Sequence, residues 1–472
     1  MLRVRVSWQT VEEVRGIRVE RPGGEEPLME PNGQAMLSET GCETELRMTP
    51  AGGGFDLRLT VRNPTDEPQQ RPTVMLTGIG LAPKTTHLDA RQVGSLHERD
   101  ASGRPSMWSP RLSYPDDLYA PVLMIHDQRF AVGVSLMYDV LKLKHSVATF
   151  WGAEGGRFKG THRIHVHLDA GKTPHPVPPG AVQTYRLAVR FARPERWLDT
   201  LEPYRRYFRD RYGGVRYQAD LRPVWGQPLS QGEHMKDNPR GYSPTWRTDI
   251  RGWKPTVDWI LDHVVAKGYR RIMLWNPQGL YRVGQNFPVE FMTEWSGRMV
   301  ATSDELGRFE QAGVTLGMWW GRSSQVSGGF NSGKLWLRDI QNPRDVEAGD
   351  RELRLAVERG IDEVGLDAFT LIPVWDRRPW LRRIQRKYPS LRFITEAADC
   401  DVLHTLAPTF CIWRKQSQPP LLADWLNPGH ETWLQLRYQQ VTPERFRQVR
   451  AWGMVPVTMS RTVEHEATRR AP

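Results

Sequence analysis

Two stretches decide the fold: Gly360-Ile361-Asp362-Glu363-Val364-Gly365-Leu366-Asp367-Ala368-Phe369, and Leu391-Arg392-Phe393-Ile394-Thr395-Glu396 after it. Each reads as a short buried strand ending in a carboxylate, and Pro379 to Lys387 between them reads as a helix. A strand, a crossover helix and a second strand make a parallel pair. As consecutive strands of a parallel barrel they bring Asp367 and Glu396 to one rim, the face on which such barrels carry reacting groups.

The same alternation extends in both directions from about residue 220. Before the decisive stretch come a strand near Arg222 to Gly226, a helix from Val257 to Lys267, and a strand from Arg271 to Trp275 with Asn276-Pro277 just beyond. A helix capped by Ser303 and ended by Gly313, a strand from Val314 to Trp320 and a helix from Asp345 to Arg359 complete that side. After Glu396 the sequence predicts a brief helix holding His404 and Leu406, then strands at Thr409–Trp413 and Leu421–Leu426. A helix from Pro443 to Trp452 precedes a last strand at Val455–Met459. Eight strands separated by helices predict a (β/α)8 TIM barrel over residues 220–472.

Residues 1–193 follow a different period. Phe55–Val61, Phe130–Leu136, His162–Leu168 and Thr184–Val189 alternate apolar with polar, and Met1 to Trp8 does the same, as in an antiparallel β-sandwich. His165 and His167 fall on one strand face, half of a metal site or simply a partly exposed pair. Between the two regions, over residues 194–219, Trp197, Leu201, Tyr204 and Phe208 make one apolar stripe on a helical connector. The fold class is therefore multidomain, an antiparallel β-sandwich followed by a (β/α)8 barrel.

Composition narrows the function. With 39% hydrophobic and 25% charged residues over 472 positions, and no low-complexity block, this is a folded, loop-rich chain of more than one core. The formal charge of +11 is carried by dispersed basic residues. That pattern argues against a nucleic-acid partner and leaves a polymer bearing carboxylates or sulfates as an anionic partner. Cys42, Cys400 and Cys411 have neither disulfide-scaffold nor metal spacing. No run approaches membrane-spanning length and no signal peptide is visible. The expectation is a cytoplasmic protein without a membrane partner, export remaining open if the true start lies upstream; composition sets no oligomeric state.

Two carboxylates facing one cleft are what glycoside cleavage requires. Asp367 is the candidate nucleophile, or else a cap on the turn that follows its strand. Glu396 is the candidate acid/base, because a buried acid beside an ionised neighbour holds its proton long enough to give it to a leaving oxygen. Alternatively Glu396 pairs with an Arg while Asp399 or Asp401 caps the next helix. Trp275, Trp319, Trp320 and Trp413 fall at or next to strand ends, and 15 of the 19 Trp residues lie beyond residue 200. Flat rings of this kind suit the mixed faces of a sugar. Asn276, Arg322, Arg414, Lys415, Asp424, His430 and Glu431 are assigned to the same face as substrate-binding candidates, with the alternative that Glu431 starts a helix containing Trp433 and Leu434. No metal or organic cofactor is implied.

The stretch from Gly360 to Asp367 resembles the nucleophile strand of retaining α-glycosidases, in which Gly-Ile/Val-Asp, a short apolar run and then Asp recur. Sandwich, connector and barrel are also similar to the arrangement in melibiases (α-galactosidases) and α-glucosidases. The resemblance implies that Asp367 is the nucleophile. In melibiase-like enzymes a sixth-strand carboxylate is the acid/base, whereas Trp413 here is followed by Arg414-Lys415-Gln416. The α-amylase superfamily is similar in another respect, with its Asp on strand four and its Glu on strand five. The Arg which that family carries two positions before its nucleophile is Gly365 here.

These observations lead to a glycoside hydrolase that acts on an oligo- or polysaccharide, retaining in mechanism. A catalytically inactive carbohydrate-binding protein is the alternative, favoured by the sixth-strand departure. Unrelated barrel chemistry is a third reading.

Overall fold

The computed structural model describes residues 35–37, 40–79, 84–89, 95–100, 113–153, 162–170, 175–228, 253–275, 304–321, 323–324, 336–337, 339–367, 369–396, 399–411, 418–436 and 442–459. Met1 to Trp8 lies outside them. Two compact units divide the chain. The first runs to Gly214 and also takes in Cys400–Thr405 and Pro420–Pro428; the second, from Val215, holds the rest.

Among the described residues of the first unit two antiparallel sheets form, one of four strands and one of seven. Strand Glu43–Ala51 alternates exposed and buried residues as its sequence period requires, and a turn through Gly53, at φ +73°, joins it to Gly54–Arg62. Val182–Ala192 runs between Gly54–Arg62 and Ala131–Met137 in the larger sheet. His162–His167 lies between Thr73–Ile79 and Ala148–Ala153 in the smaller one. His165 and His167 stack with ring centres 5.9 Å apart, and burial pushes His165 down to about 4, so it is neutral at physiological pH. A 3-10 turn over Pro194–Leu201 and the helix Glu202–Tyr212 bury Leu201, Tyr204 and Phe208, most of the expected stripe.

The polar centre of this unit is Asp401, which is fully buried. Its carboxylate accepts from the hydroxyls of Tyr114 (2.9 Å) and Tyr204 (2.6 Å) and from the Val402 amide (2.8 Å). Beside it Tyr119 bonds His404 at 2.9 Å, and Asn427 Nδ2 donates to the Tyr119 hydroxyl at 2.8 Å. Burial pushes Asp401 up to about 7, against the opposing effect of its hydrogen bonds from Tyr204 and Tyr114.

The second unit is a closed barrel of eight parallel strands. In order they are Val224–Pro228, Arg271–Trp275, Thr315–Gly321, Glu363–Asp367, Arg392–Glu396, Thr409–Cys411, Thr432–Gln435 and Val455–Met459, the last pairing with the first. Leu421–Leu426, expected as strand seven, is a helix. Its Leu-Leu-Ala-Asp-Trp-Leu run contains no β-branched residue, and a short apolar run of this kind has no period that separates helix from strand. Strand seven is instead Thr432–Gln435, so Glu431 does not start a helix.

Side chains alternate across the barrel wall. Ile272, Leu274, Leu316, Met318, Val364, Leu366 and Phe393 belong to the core cluster that also contains helix residues such as Leu353, Leu381 and Ile384. Met273, Trp275, Trp319, Ile394, Phe410, Trp433, Val455 and Val457 fill the interior. Strand three spaces its inward positions with Gly317 and Gly321, and strand four places Gly365 against the Trp319 ring, where a Cβ would lie 1.9 Å from Cε3.

Below this apolar layer, at the N-terminal end, buried charges close the barrel. Arg271, fully buried, donates to Glu363 at 2.6 Å, to Glu431 at 2.8 Å and to the Asp220 carbonyl at 2.7 Å. Its guanidinium lies 4.6 Å from the centre of the Trp433 ring. Arg392 pairs with Glu431 and approaches Glu363 at 3.5 Å. Each charge has an opposite partner, the condition under which buried ions are tolerated.

Candidate active site

Strand four reads Glu-Val-Gly-Leu-Asp and strand five Arg-Phe-Ile-Thr-Glu. Counting in twos from Glu363 and Gly365 gives Asp367, and from Arg392 and Ile394 gives Glu396, so both carboxylates have the inward parity. Pairing sets their height. Gly365 is matched with Ile394 and Leu366 with Thr395, and the same register continued by one residue sets Asp367 opposite Glu396. Gly321 of strand three is matched with Asp367, and Phe410 of strand six with Glu396. Both carboxylates are partly exposed at the C-terminal ends of their strands.

An aromatic layer lies inward of this rung. Trp275 and Trp319 stack with centres 5.2 Å apart at 28°, and Phe410 meets Trp319 edge-on at 5.3 Å. Trp433 continues the layer at 6.0 Å from Phe410. Gly321 carries no side chain, so strand three contributes only backbone to the rung beside Asp367. Past Glu396, Asp399 is ion-paired with the buried Arg377 at 2.8 Å, and its amide donates to Thr409 Oγ1 at 2.7 Å. These bonds tie the exit of strand five to the next strand and to the helix Val374–Lys387.

The structure brings Asp367, Glu396, Trp275 and Trp319 to one end of the barrel interior and sends four other candidates elsewhere. Trp320 faces outward, since adjacent residues of a strand point to opposite sides; its Nε1 donates to Glu352 at 2.7 Å. Asp424 is exposed on the helix Leu421–Leu426 and belongs to the first unit. His430 and Glu431 precede strand seven instead of following it, which puts them at the opposite end of the barrel. His430 bonds Thr432 Oγ1 at 2.9 Å, while Glu431 serves the buried charge network and accepts from Trp433 Nε1 at 2.5 Å. Asn276, Arg322, Trp413, Arg414 and Lys415 lie outside the described residues. Gly321 and Phe410 were not singled out from sequence, although both follow from counting in twos along their strands. Among the described residues no group of three His, Cys, Asp or Glu side chains is placed to hold a metal ion, and no helix is long and apolar enough to cross a membrane.

No family model matches the chain, and comparison with curated proteins finds no match. Solved structures do resemble it. The α-N-acetylgalactosaminidase NagBb from Bifidobacterium bifidum, in complex with GalNAc, aligns with a TM-score of 0.51 at 10% identity, covering 88% of this chain and 80% of that one. A quadruple mutant of the same enzyme gives 0.51 at 10% identity over 89% and 83%. TtGalA, an α-galactosidase from Thermus thermophilus, aligns at 0.49 with 12% identity over 88% and 90%. At these identities the likeness to NagBb is one of fold: β-sheet domain followed by TIM barrel, an architecture that glycosidases use.

Proposed function

We propose that the protein is a retaining glycoside hydrolase of the α-glycosidase type, with Asp367 as nucleophile and Glu396 as acid/base. What carries the reading is the register of strands four and five: its last pair is Leu366 with Thr395, and continued by one residue it sets Asp367 opposite Glu396. Neighbouring strands run about 4.8 Å apart, close to the roughly 5 to 5.5 Å between carboxyl groups that retention uses and below the roughly 6.5 to 9.5 Å of inversion. In the first step an Asp367 oxygen attacks the anomeric carbon. The bond to the leaving oxygen breaks, and that oxygen takes the proton from Glu396. In the second step Glu396, now ionised, removes a proton from water, whose oxygen displaces Asp367 and restores both carboxyl groups. The Trp275–Trp319 layer, buried beneath the rung, is the packed floor on which the site rests.

A panel of aryl α-glycosides tests this. Asp367→Asn abolishes turnover, and a slow fluoroglycoside substrate leaves a glycosyl adduct on Asp367 detectable by mass spectrometry. Glu396→Gln lowers kcat/KM by about 10²- to 10⁴-fold on phenyl leaving groups and far less on dinitrophenyl, which departs without a proton, while kcat falls on both because the second step has lost its base. No turnover by the wild type on any substrate, with sugar binding retained, refutes the assignment.

A further inference from the structure

On the outer side of strand three the second unit holds a cavity of about 200 Å³ between the helices Pro343–Glu358 and Val374–Lys387. Its walls are mainly apolar. Trp320, Phe369 and Trp380 form a three-ring cluster, with centres 5.3 Å, 4.9 Å and 6.2 Å apart. One charged group stands out among the lining residues. Asp345 is only 5% exposed; its Oδ2 accepts the Asp339 amide at 2.8 Å, and its Oδ1 has no hydrogen-bond partner. Buried polar atoms in native proteins are nearly always satisfied, so an orphan carboxylate oxygen on a residue that lines a cavity marks a place where a donor belongs.

Asp345 lies in the first turn of its helix, where negative charge is best accommodated, and Asn342 caps that helix through the Arg344 amide at 3.0 Å. The other close charge pair in the lining, Asp350 with Lys387 at 2.5 Å, is neutral as a unit. Among the described residues Arg383, exposed, is the remaining cation at the cavity.

We propose that this cleft binds a small organic cation, a primary ammonium seated on Asp345 Oδ1 with a compact apolar body against the three rings. An ammonium supplies the missing donor and neutralises the carboxylate, and the aromatic walls favour both its charge and its hydrocarbon. An anion meets Asp345 and Asp339; a neutral polyol leaves the charge uncompensated and wastes the apolar wall. The site is distinct from the proposed catalytic rung, because Trp320 and Trp319 point to opposite faces of strand three, and it does not depend on the glycosidase reading.

The test is calorimetry with the full chain, titrating cyclohexylammonium against its neutral counterpart cyclohexanol. Cyclohexylammonium is expected to bind at millimolar concentration or below, with cyclohexanol at least tenfold weaker. Asp345→Asn keeps an oxygen for the Asp339 amide and removes the charge; it weakens the amine at least tenfold while the urea midpoint stays within error. Arg383→Ala removes a like charge and tightens the amine, a readout that survives if Asp345→Asn unfolds. Absence of amine binding, equal binding of amine and alcohol, unchanged affinity in Asp345→Asn, or weaker binding in Arg383→Ala overturns the proposal.

Discussion

Gly365→Ala is the sharpest probe of the barrel interior beneath the candidate site. The added Cβ falls 1.9 Å from Trp319 Cε3 and 2.2 Å from Cζ3, about 1.5 Å or more short of ordinary carbon–carbon contact. The ring has little freedom to yield, since Trp275 is stacked on it at 5.2 Å and Phe410 abuts it at 5.3 Å. Overpacking a close-packed interior costs about 1–3 kcal/mol, and the size of this overlap puts the expectation near 3 kcal/mol. Gly349→Ala is the control. It sits in the helix Pro343–Glu358, and its Cβ meets Trp320 at 3.4–3.5 Å, so the only large effect is the gain of about 0.5–1 kcal/mol for alanine over glycine in a helix. The same chemical change therefore has opposite signs beside two adjacent tryptophans. Urea unfolding followed by tryptophan fluorescence reads both as shifts in midpoint at constant slope. If Gly365→Ala lies within about 0.5 kcal/mol of wild type, or the two variants shift alike, the inward assignment of Trp319 and Gly365 is wrong.

Three further outcomes are expected, two from named contacts and one from net charge. Arg271→Met strands Glu363 and Glu431 with Arg392 alone and costs about 3–5 kcal/mol in urea unfolding; adding Glu363→Leu recovers part of it, and a single variant as stable as wild type contradicts the charge network. Asp401 has its folded pKa raised to about 7 from 3.8, so its contribution to stability is full below pH 3.8 and is lost as pH rises through 7. That shift corresponds to roughly 4 kcal/mol, and a calorimetric stability profile of wild type minus Asp401→Asn that stays flat between pH 4 and 8 rules it out. If the +11 charge serves an anionic substrate, kcat/KM on carboxylated or sulfated oligosaccharides falls with salt while neutral ones are indifferent; equal salt response removes that preference.

The sequence revealed the barrel through strands four and five, because a buried run ending in an acid has few other uses. Parity was equally legible: once Asp367 is at the mouth, Gly365 and Glu363 must face inward below it. Most of the errors came from one element. Reading Leu421–Leu426 as strand seven made Asn427-Pro428-Gly429 look like a loop beyond a strand's C-terminal end, and His430 and Glu431 were carried to the wrong end of the barrel with it. A β-branched residue in that run was the missing signal, and Thr432 supplies one in the true strand. Trp320 was misplaced by treating neighbouring tryptophans as a pair, although a strand separates them by its geometry. The arginines that satisfy Glu363 and Glu431 begin strands two and five, a correspondence in space that no local pattern encodes.

The buried carboxylate of Asp401 also bears on how the chain is made. Its hydroxyl partners Tyr114 and Tyr204 precede it by 287 and 197 residues. While the ribosome is still synthesising the middle of the chain, the N-terminal unit has both phenols and lacks the carboxylate that accepts from them. A fragment ending at Gly214 therefore lacks the acceptor at its polar centre, and a single cut at the start of the barrel does not yield two self-sufficient pieces. Chain length, more than strand pairing, sets the moment at which this unit becomes whole.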